Sequence, residues 1–134
     1  MKSFLATFIG LIAAFVIMMA LEILGHVLFP LPVKLSTSDA EAIAKNFHLI
    51  PIGAYLSVVF AHGIGLLIGL IIARAIDKET LYAQYLLAGF LLLGTIANLA
   101  QIPHPLWFTI ADVGVVLAIG ALVIYNAHKK RTQN

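Results

Sequence analysis

The sequence contains no cysteine, and this absence excludes several classes of function. A chain without thiols forms no disulfide, offers no thiolate to a metal and carries out no thiol redox chemistry, whichever compartment its loops face. Quinone-linked disulfide oxidoreductases are therefore excluded.

Charged residues are also scarce. Only 10% of the 134 residues are charged and 62% are hydrophobic, whereas soluble domains carry about 25% charged residues. The formal charge of +2 comes from a few basic residues at the ends of apolar segments, where they act as topology signals. The composition predicts an integral membrane protein that has no nucleic-acid partner and leaves no room for a soluble catalytic domain.

Four apolar runs are each long enough to cross a bilayer, which takes about 20 residues in a helix. They predict an all-α membrane protein, a four-helix bundle that forms a single domain. The predicted spans are 4–29, 52–75, 81–100 and 105–127, with an extracytoplasmic loop at 30–51. The first run continues for about 25 residues, beyond the ~7–15 of a signal-peptide core, so we expect a retained membrane helix.

The loop between the first two spans contains one short predicted helix. Ser38-Asp39-Ala40-Glu41 fits a capping box, which predicts a helix through about Asn46. Its apolar residues fall on one side, and they are Ala40, Ile43, Ala44 and Phe47. We expect this helix to lie in the membrane interface, above the mouth of the bundle.

The second span carries small residues at a strict four-residue spacing. This small-residue stripe consists of Gly53, Ser57, Ala61, Gly65, Gly69 and Ala73. Small residues allow another helix backbone to approach closely. The stripe therefore predicts that the second span is either the centre of the bundle or a seam for a homo-oligomer or another partner.

Basic residues are distributed unequally between the two ends of the predicted bundle. One end has Lys2, Arg74, Lys78, Lys129, Lys130 and Arg131, and the other has Lys34 and Lys45. Because cytoplasmic segments carry the excess of lysine and arginine, both termini are predicted to lie in the cytoplasm, in a bacterial inner membrane. The 30–51 loop would then face the periplasm or the cell exterior.

Glu22 and His26 stand out because ionisable residues within membrane helices are costly and often functional. Four residues apart, they share one helix face. In the predicted topology, further polar and amphipathic residues fall in the same outer half of the membrane, whereas the inner halves are essentially aliphatic, aromatic and small. These further candidate ligand-binding residues are His62, Asn98, Gln101, His104, Trp107 and Asp112. We therefore expect one outward-facing polar pocket.

Three chemistries would use this set of side chains. A divalent metal such as Zn²⁺, Mn²⁺ or Fe²⁺ would take Glu22 and His26 as ligands, completed by His62, His104 or Asp112. A proton or ion relay would place a buried carboxylate beside a titrating imidazole, but the inner half offers no polar path for transport. Haem held by two histidines is the third chemistry, although the histidines lie at different depths.

Several of these residues also have a purely structural interpretation. Asn98 and Gln101 would serve as interhelical hydrogen-bonding groups. Trp107 would be an interfacial aromatic residue, and His104, between two prolines, would be an exposed or capping residue.

Three sequence segments carry a resemblance to known proteins. They are Leu21-Glu22-Ile23-Leu24-Gly25-His26 leading into Phe29-Pro30, then Ala97-Asn98, and finally Ile102-Pro103-His104-Pro105-Leu106-Trp107-Phe108. Together they resemble a group of small four-helix bacterial membrane proteins that has no assigned activity. The resemblance covers the whole chain and implies four helices and an important outer polar cluster. Small multidrug exporters fit less well, because their acidic residue in the first helix lies in the middle of the membrane.

The sequence thus favours a pocket that recognises a cation, a proton or a small polar ligand, in a protein related to transport. One alternative is a metal-assisted enzyme that acts on lipid headgroups at the outer leaflet. Another is a helix-packing subunit of a membrane complex, in which the polar groups only hold the bundle together.

Overall fold

The computed structural model describes residues 1–32 and 40–133. The helices are α1 (Lys2–Leu28), α2 (Ala40–Asn46), α3 (Ile52–Ile76), α4 (Tyr82–Gln101) and α5 (Leu106–Thr132), with a 3₁₀ turn at Phe47–Leu49. Helices α1, α3, α4 and α5 are long and apolar enough to cross a membrane. The predicted fold class, a bundle of four transmembrane helices with a short helix between the first two, is confirmed.

Prolines set the starts of two membrane helices. Helices α3 and α5 begin directly after Pro51 and Pro105, whose backbones are extended with ψ of 138° and 140°. Proline suits a helix start because the first N–H groups of a helix have no intrahelical partner. Ser38 and Asp39 of the predicted capping box lie outside the described residues, and the short helix ends at Asn46.

Helix α3 lies against α1, α4 and α5, and its most extensive interface is with α1. The two backbones meet at glycines, because a Cβ added to Gly69 would lie 2.7 Å from the carbonyl oxygen of Gly10. A Cβ added to Gly65 would lie 2.9 Å from the carbonyl oxygen of Ala14. The small-residue stripe of α3 therefore packs against α1 of the same chain, and a partner that used the stripe would have to displace α1.

Helices α4 and α5 complete the bundle, because α5 packs on α3 and α4, and α4 also packs on α1. An apolar core fills the half of the bundle away from α2, and its fully buried members include Leu66, Leu70 and Leu87. Large apolar side chains such as Phe15 and Phe90 are exposed on the outside of the bundle, as expected for a lipid-facing surface.

The bundle has two chemically different ends. The end formed by the C-termini of α1 and α4 and the N-termini of α3 and α5 carries α2 and is called the loop end. The opposite end, called the basic end, carries the cations Arg74, Lys78, Lys130 and Arg131.

At the basic end, Asp77 joins α1 to the turn between α3 and α4. Its Oδ2 accepts hydrogen bonds of 2.6 Å from the hydroxyls of Ser3 and Thr80. Its Oδ1 accepts the backbone N–H groups of Thr80 at 3.0 Å and Glu79 at 3.2 Å. These hydrogen bonds, led by that from Ser3, lower the pKa of the Asp77 carboxyl from 3.8 to about 2.

Buried polar side chains also occur in the basic half of the bundle. Gln84, Thr7 and Asp77 are all buried there, so the expectation that polar groups gather in the outer half is incomplete. Gln84 lies in the first turn of α4, where the nearby charged turn makes a polar residue unremarkable in the sequence. The folded bundle nevertheless turns this side chain inward.

Candidate functional site

Three helices bring Glu22, His62 and Asp112 together at the loop end. His62 Nδ1 lies 2.7 Å from Asp112 Oδ1, and His62 Nε2 lies 3.8 Å from Glu22 Oε1. Because an ionised carboxylate only accepts hydrogen bonds, the geometry assigns the Nδ1 proton of His62 to the bond with Asp112. Nε2 then remains free to face Glu22. This arrangement is called the carboxylate–imidazole chain below.

The exposure of the chain increases from the core of the bundle toward its surface. The side chain of Asp112 is fully buried, that of His62 is 12% exposed and that of Glu22 is 38% exposed. The other oxygen of Asp112, Oδ2, is buried with no hydrogen-bond partner among the described residues. A charge change at the exposed Glu22 can therefore reach a carboxylate in the protein interior through one imidazole.

The helix positions explain why these residues meet. Glu22 lies six residues before the last residue of α1, and Asp112 lies six residues after the first residue of α5. Since both helix ends are at the loop end, the two carboxylates lie at similar depth. His62 follows Ala61 of the small-residue stripe by one residue, which is a rotation of about 100° around the helix axis. The side chain of His62 therefore lies beside the α1–α3 interface and not within it.

Glu22 opens into a cavity of about 330 Å³ at the loop end. Its polar lining consists of Glu22, His26, Asn98 and His104. The remaining lining is apolar or aromatic and consists of Leu31, Ile43, Ile50, Ala54, Tyr55, Val58, Ile102 and Phe108. This volume falls at the lower end of the ~300–1,000 Å³ typical of small-molecule sites.

The short helix α2 lies at one side of this cavity. Ile43 of α2 is buried and lines it. The hydroxyl of Tyr55 donates a hydrogen bond of 3.2 Å to the carbonyl oxygen of Phe47, which fastens the 3₁₀ turn to α3. The sequence expectation of a short helix above the mouth of the bundle agrees with this position.

Aromatic side chains form one wall of the cavity. The ring of Tyr55 lies 5.0 Å from that of Phe108 and 5.6 Å from that of Trp107. The imidazole of His104 stacks at 4.9 Å on Phe108. Its Nδ1 is buried without a hydrogen-bond partner in the described part of the chain. Burial lowers the pKa of His104 below its usual 6.5, which favours the neutral ring.

Glu22 and His26 are neighbours, but their side chains do not pair. His26 Nδ1 lies 2.8 Å from the backbone carbonyl oxygen of Glu22, so the ring donates to the helix backbone. The carboxylate of Glu22 is directed toward His62 instead. Both residues still line the same cavity.

Gln101 and Trp107 belong neither to the cavity lining nor to the carboxylate–imidazole chain. Gln101 is exposed, and its amide donates 3.1 Å to the carbonyl oxygen of Ala97 on its own helix. Trp107 packs edge-on against Tyr55 and Phe108 and supports the aromatic wall from behind. Asn98 lines the cavity, although most of α4 at this level is exposed.

No group of three or more histidine and carboxylate side chains is arranged to hold a metal ion in residues 1–32 and 40–133. His26, His62 and His104 therefore do not gather around Glu22 as one ligand set. The three-residue chain that does form runs through a single imidazole, that of His62.

Sequence reasoning missed Tyr55 and Phe108 as cavity residues. Tyr55 lies three residues after the start of α3, a position typical of an interfacial tyrosine in any membrane helix. The spacing of Tyr55, Val59 and His62, all on one face of α3, is the signal that places them together.

The chain matches no family model, no curated protein and no solved structure in the comparisons with known proteins. What can be proposed about its function therefore follows from the geometry of the carboxylate–imidazole chain and the cavity that it borders.

Proposed function

We propose that the protein binds a small organic cation in the loop-end cavity and releases a proton as it does so. The observation that carries this proposal is the arrangement of His62 between Asp112 and Glu22. The imidazole is held on one side by a buried carboxylate, and on the other it meets a carboxylate that the cavity can reach.

The charge of the site depends on the protonation of His62. When the imidazole is neutral, two carboxylates surround it and the site attracts a cation. When the imidazole is protonated, its positive charge offsets one of the two negative charges and weakens this attraction. A cation at Glu22 and a proton on His62 therefore compete for the same negative charge, and each weakens the binding of the other.

The cavity lining favours an ammonium group with an apolar body. Glu22 supplies a counter-ion, and Tyr55 and Phe108 contribute aromatic rings to the lining, a residue type that attracts cations through the quadrupole of the ring. Ile43 and Val58 offer apolar contact for hydrocarbon groups on the ligand. A small hydrated metal ion would leave most of this apolar lining unused.

The packing below the cavity supports binding rather than conduction. The fully buried Leu66, Leu70 and Leu87 belong to an apolar cluster between the cavity and the basic end. An ion that crossed this region would lose its hydration without replacement. We place the basic end in the cytoplasm of a bacterial inner membrane by its excess of lysine and arginine, so that the cavity opens outward.

The test is ligand binding to the purified protein in lipid nanodiscs. The probes are tetraethylammonium, choline and butylammonium, with neutral tert-butanol as the uncharged comparison, titrated by calorimetry in buffers of different ionisation enthalpy. We expect at least one ammonium ion to bind with proton release, and to bind more weakly at about pH 5.5 than at about pH 8.

The matched variants are Glu22→Gln and Glu41→Gln. Glu41 is an exposed carboxylate on α2 that pairs with Lys45, so its variant removes the same charge away from the cavity. Loss of binding in Glu22→Gln alone supports the proposal. Equal binding of tert-butanol, or equal loss in both variants, would contradict it.

A purely structural role for the polar cluster is the second candidate, and the direct bond between the buried His62 and Asp112 favours it. In that case Glu22→Gln and His62→Asn would change the unfolding temperature, and the wild-type protein would bind none of the ammonium probes.

A further inference from the structure

A second set of cavities follows the seam between α3 and α5 at the basic end, away from the carboxylate–imidazole chain. A cavity of about 620 Å³ is lined by Ile71, Ala75 and the four cations Arg74, Lys78, Lys130 and Arg131. A cavity of about 330 Å³ adjoins it and shares Ile71, Arg74 and Lys130. The concentration of positive charge at this opening suits an anion.

The four cations lack acidic partners. No Asp or Glu side chain lies within 4 Å of them in residues 1–32 and 40–133, where the lysine–carboxylate pairs are Lys2 with Glu79 and Lys45 with Glu41. Arg74 uses one guanidinium nitrogen to donate 3.0 Å to the carbonyl oxygen of Thr80, which fixes the side chain at the rim. A fixed guanidinium and neighbouring ammonium groups suit a phosphate oxygen.

Gln84 provides an independent sign that a polar ligand belongs here. Its residue is 1% exposed, it lines the 330 Å³ cavity, and both Nε2 and Oε1 have no hydrogen-bond partner among the described residues. A buried amide with neither group satisfied is strongly unfavourable. A ligand with a phosphate or glycerol oxygen near Nε2, and a hydroxyl near Oε1, would satisfy it.

The cavity continues into an apolar groove along the same seam. Leu67 is shared with a further cavity of about 270 Å³, whose lining is Val59, Phe60, Gly63, Ile64, Val115 and Ile119. From Phe60 to Arg74 the helix rises about 21 Å, which exceeds half of the ~30 Å hydrocarbon thickness. The groove is therefore long enough for one acyl chain of a single leaflet.

We infer that the α3–α5 seam binds an anionic phospholipid, with its phosphate among Arg74, Lys130 and Gln84 and one acyl chain along Leu67 toward Phe60. The side chains of Ile71, Leu67 and Lys130 are exposed on the outer surface of the bundle, so the lipid enters sideways from the bilayer. Basic clefts between membrane helices are a recognised mode of anionic lipid binding.

The test uses the full-length protein and native mass spectrometry from micelles containing dioleoylphosphatidylglycerol, dioleoylphosphatidylcholine or inorganic phosphate. We expect one retained phosphatidylglycerol, weaker retention of phosphatidylcholine and no effect of inorganic phosphate on either. Equal retention of the two lipids would overturn the inference. Displacement of the lipid by inorganic phosphate would overturn it as well, because the site would then be one for a free anion.

Lys130→Gln and Lys129→Gln form the matched pair, since the two lysines are neighbours and only Lys130 lines the cavities. Lys130→Gln should weaken phosphatidylglycerol binding about fivefold, and Lys129→Gln by less than about twofold. An equal effect of the two would indicate general attraction to an anionic surface and would overturn the inference.

Gln84→Leu separates lipid binding from folding. Removal of the buried amide should leave the melting temperature without lipid unchanged or higher, while the stabilisation by phosphatidylglycerol decreases. Unchanged stabilisation by the lipid would contradict the placement of the phosphate beside Gln84 and would overturn the inference. A lower melting temperature without lipid would show that the amide already has its partners inside the protein and would contradict the inference.

Discussion

Asp112 and His62 form a buried pair in which only one of the two carboxylate oxygens is satisfied. Oδ1 lies 2.7 Å from His62 Nδ1, whereas Oδ2 is buried with no partner among the described residues. Within the described part of the chain, His62 is thus the only side chain that holds this carboxylate. A substitution of either residue should therefore change the stability of the loop end.

Substitution of Asp112 by Ala and by Asn tests this pair. Asp112→Ala removes the acceptor and leaves the His62 Nδ1–H unpaired, which should lower the free energy of unfolding by about 1–3 kcal/mol. Asp112→Asn keeps an acceptor and should cost less. The measurement is thermal or denaturant unfolding in micelles, followed by circular dichroism. The double variant His62→Leu/Asp112→Leu should recover part of the loss, because no polar group remains unpaired. If Asp112→Asn lowers the free energy of unfolding as much as Asp112→Ala does, the attraction between Asp112 and His62 depends on charge rather than on the hydrogen bond.

Asp77 should make the stability of the protein depend on pH in the acid range. Its folded pKa of about 2 lies below the ordinary value of 3.8, so the folded state binds fewer protons than the unfolded state between these values. The stabilisation is fully present above about pH 4 and is lost as the pH falls toward about 2. Unfolding temperatures measured between about pH 6 and about pH 2 should therefore fall less in Asp77→Asn than in the wild type. Glu79→Gln, an exposed neighbour, should follow the wild type. Parallel curves for Asp77→Asn and the wild type would contradict the assignment.

The sequence indicated which ionisable residues lie near one another more reliably than which of them are in contact. Glu22, His62 and Asp112 were all found because ionisable groups in apolar runs are rare, and they do meet. The expected side-chain pair of Glu22 with His26 does not form, because spacing along one helix does not fix the side-chain rotamers, and His26 donates to the backbone.

The rotation of α4 about its own axis explains why Gln101 is exposed and why Gln84 is buried. The face of α4 that carries Gly94, Asn98 and Gln101 is exposed, and the buried face carries Gln84, Leu87, Leu91 and Thr95. In lipid both faces of a helix are apolar, so hydrophobic periodicity does not tell which one packs inward. The small-residue stripe of α3 was recognisable in the sequence because small residues on a membrane helix indicate a close contact with another helix. They do not identify which helix that is.

Two glycine substitutions should separate helix packing from helix propensity. Gly69→Ala places a methyl group 2.7 Å from the Gly10 carbonyl oxygen, so the α1–α3 seam has to open, and the protein should lose about 1–3 kcal/mol of stability. Apart from its chain neighbours and the backbone of its own helix, no heavy atom in the described part of the chain lies within 4 Å of a Cβ added to Gly94. Gly94→Ala should therefore be neutral or stabilising by up to about 1 kcal/mol. Unfolding midpoints in the same micelles provide the comparison. Equal effects of the two substitutions would show that α1 and α3 are not in close contact.

The absence of cysteine allows the membrane orientation to be measured with single introduced thiols. His48, at the loop end, and Gln133, beyond α5, are both exposed, so His48→Cys and Gln133→Cys should not disturb the bundle. If the basic end lies in the cytoplasm, a membrane-impermeant maleimide added to intact spheroplasts should label only His48→Cys. Both variants should be labelled after the membrane is permeabilised, which controls for thiol accessibility. Labelling of Gln133→Cys alone in intact spheroplasts would reverse the orientation and make the carboxylate–imidazole chain face the cytoplasm. Because a proton released on cation binding enters the compartment that the cavity faces, this measurement also decides on which side the proposed exchange takes place.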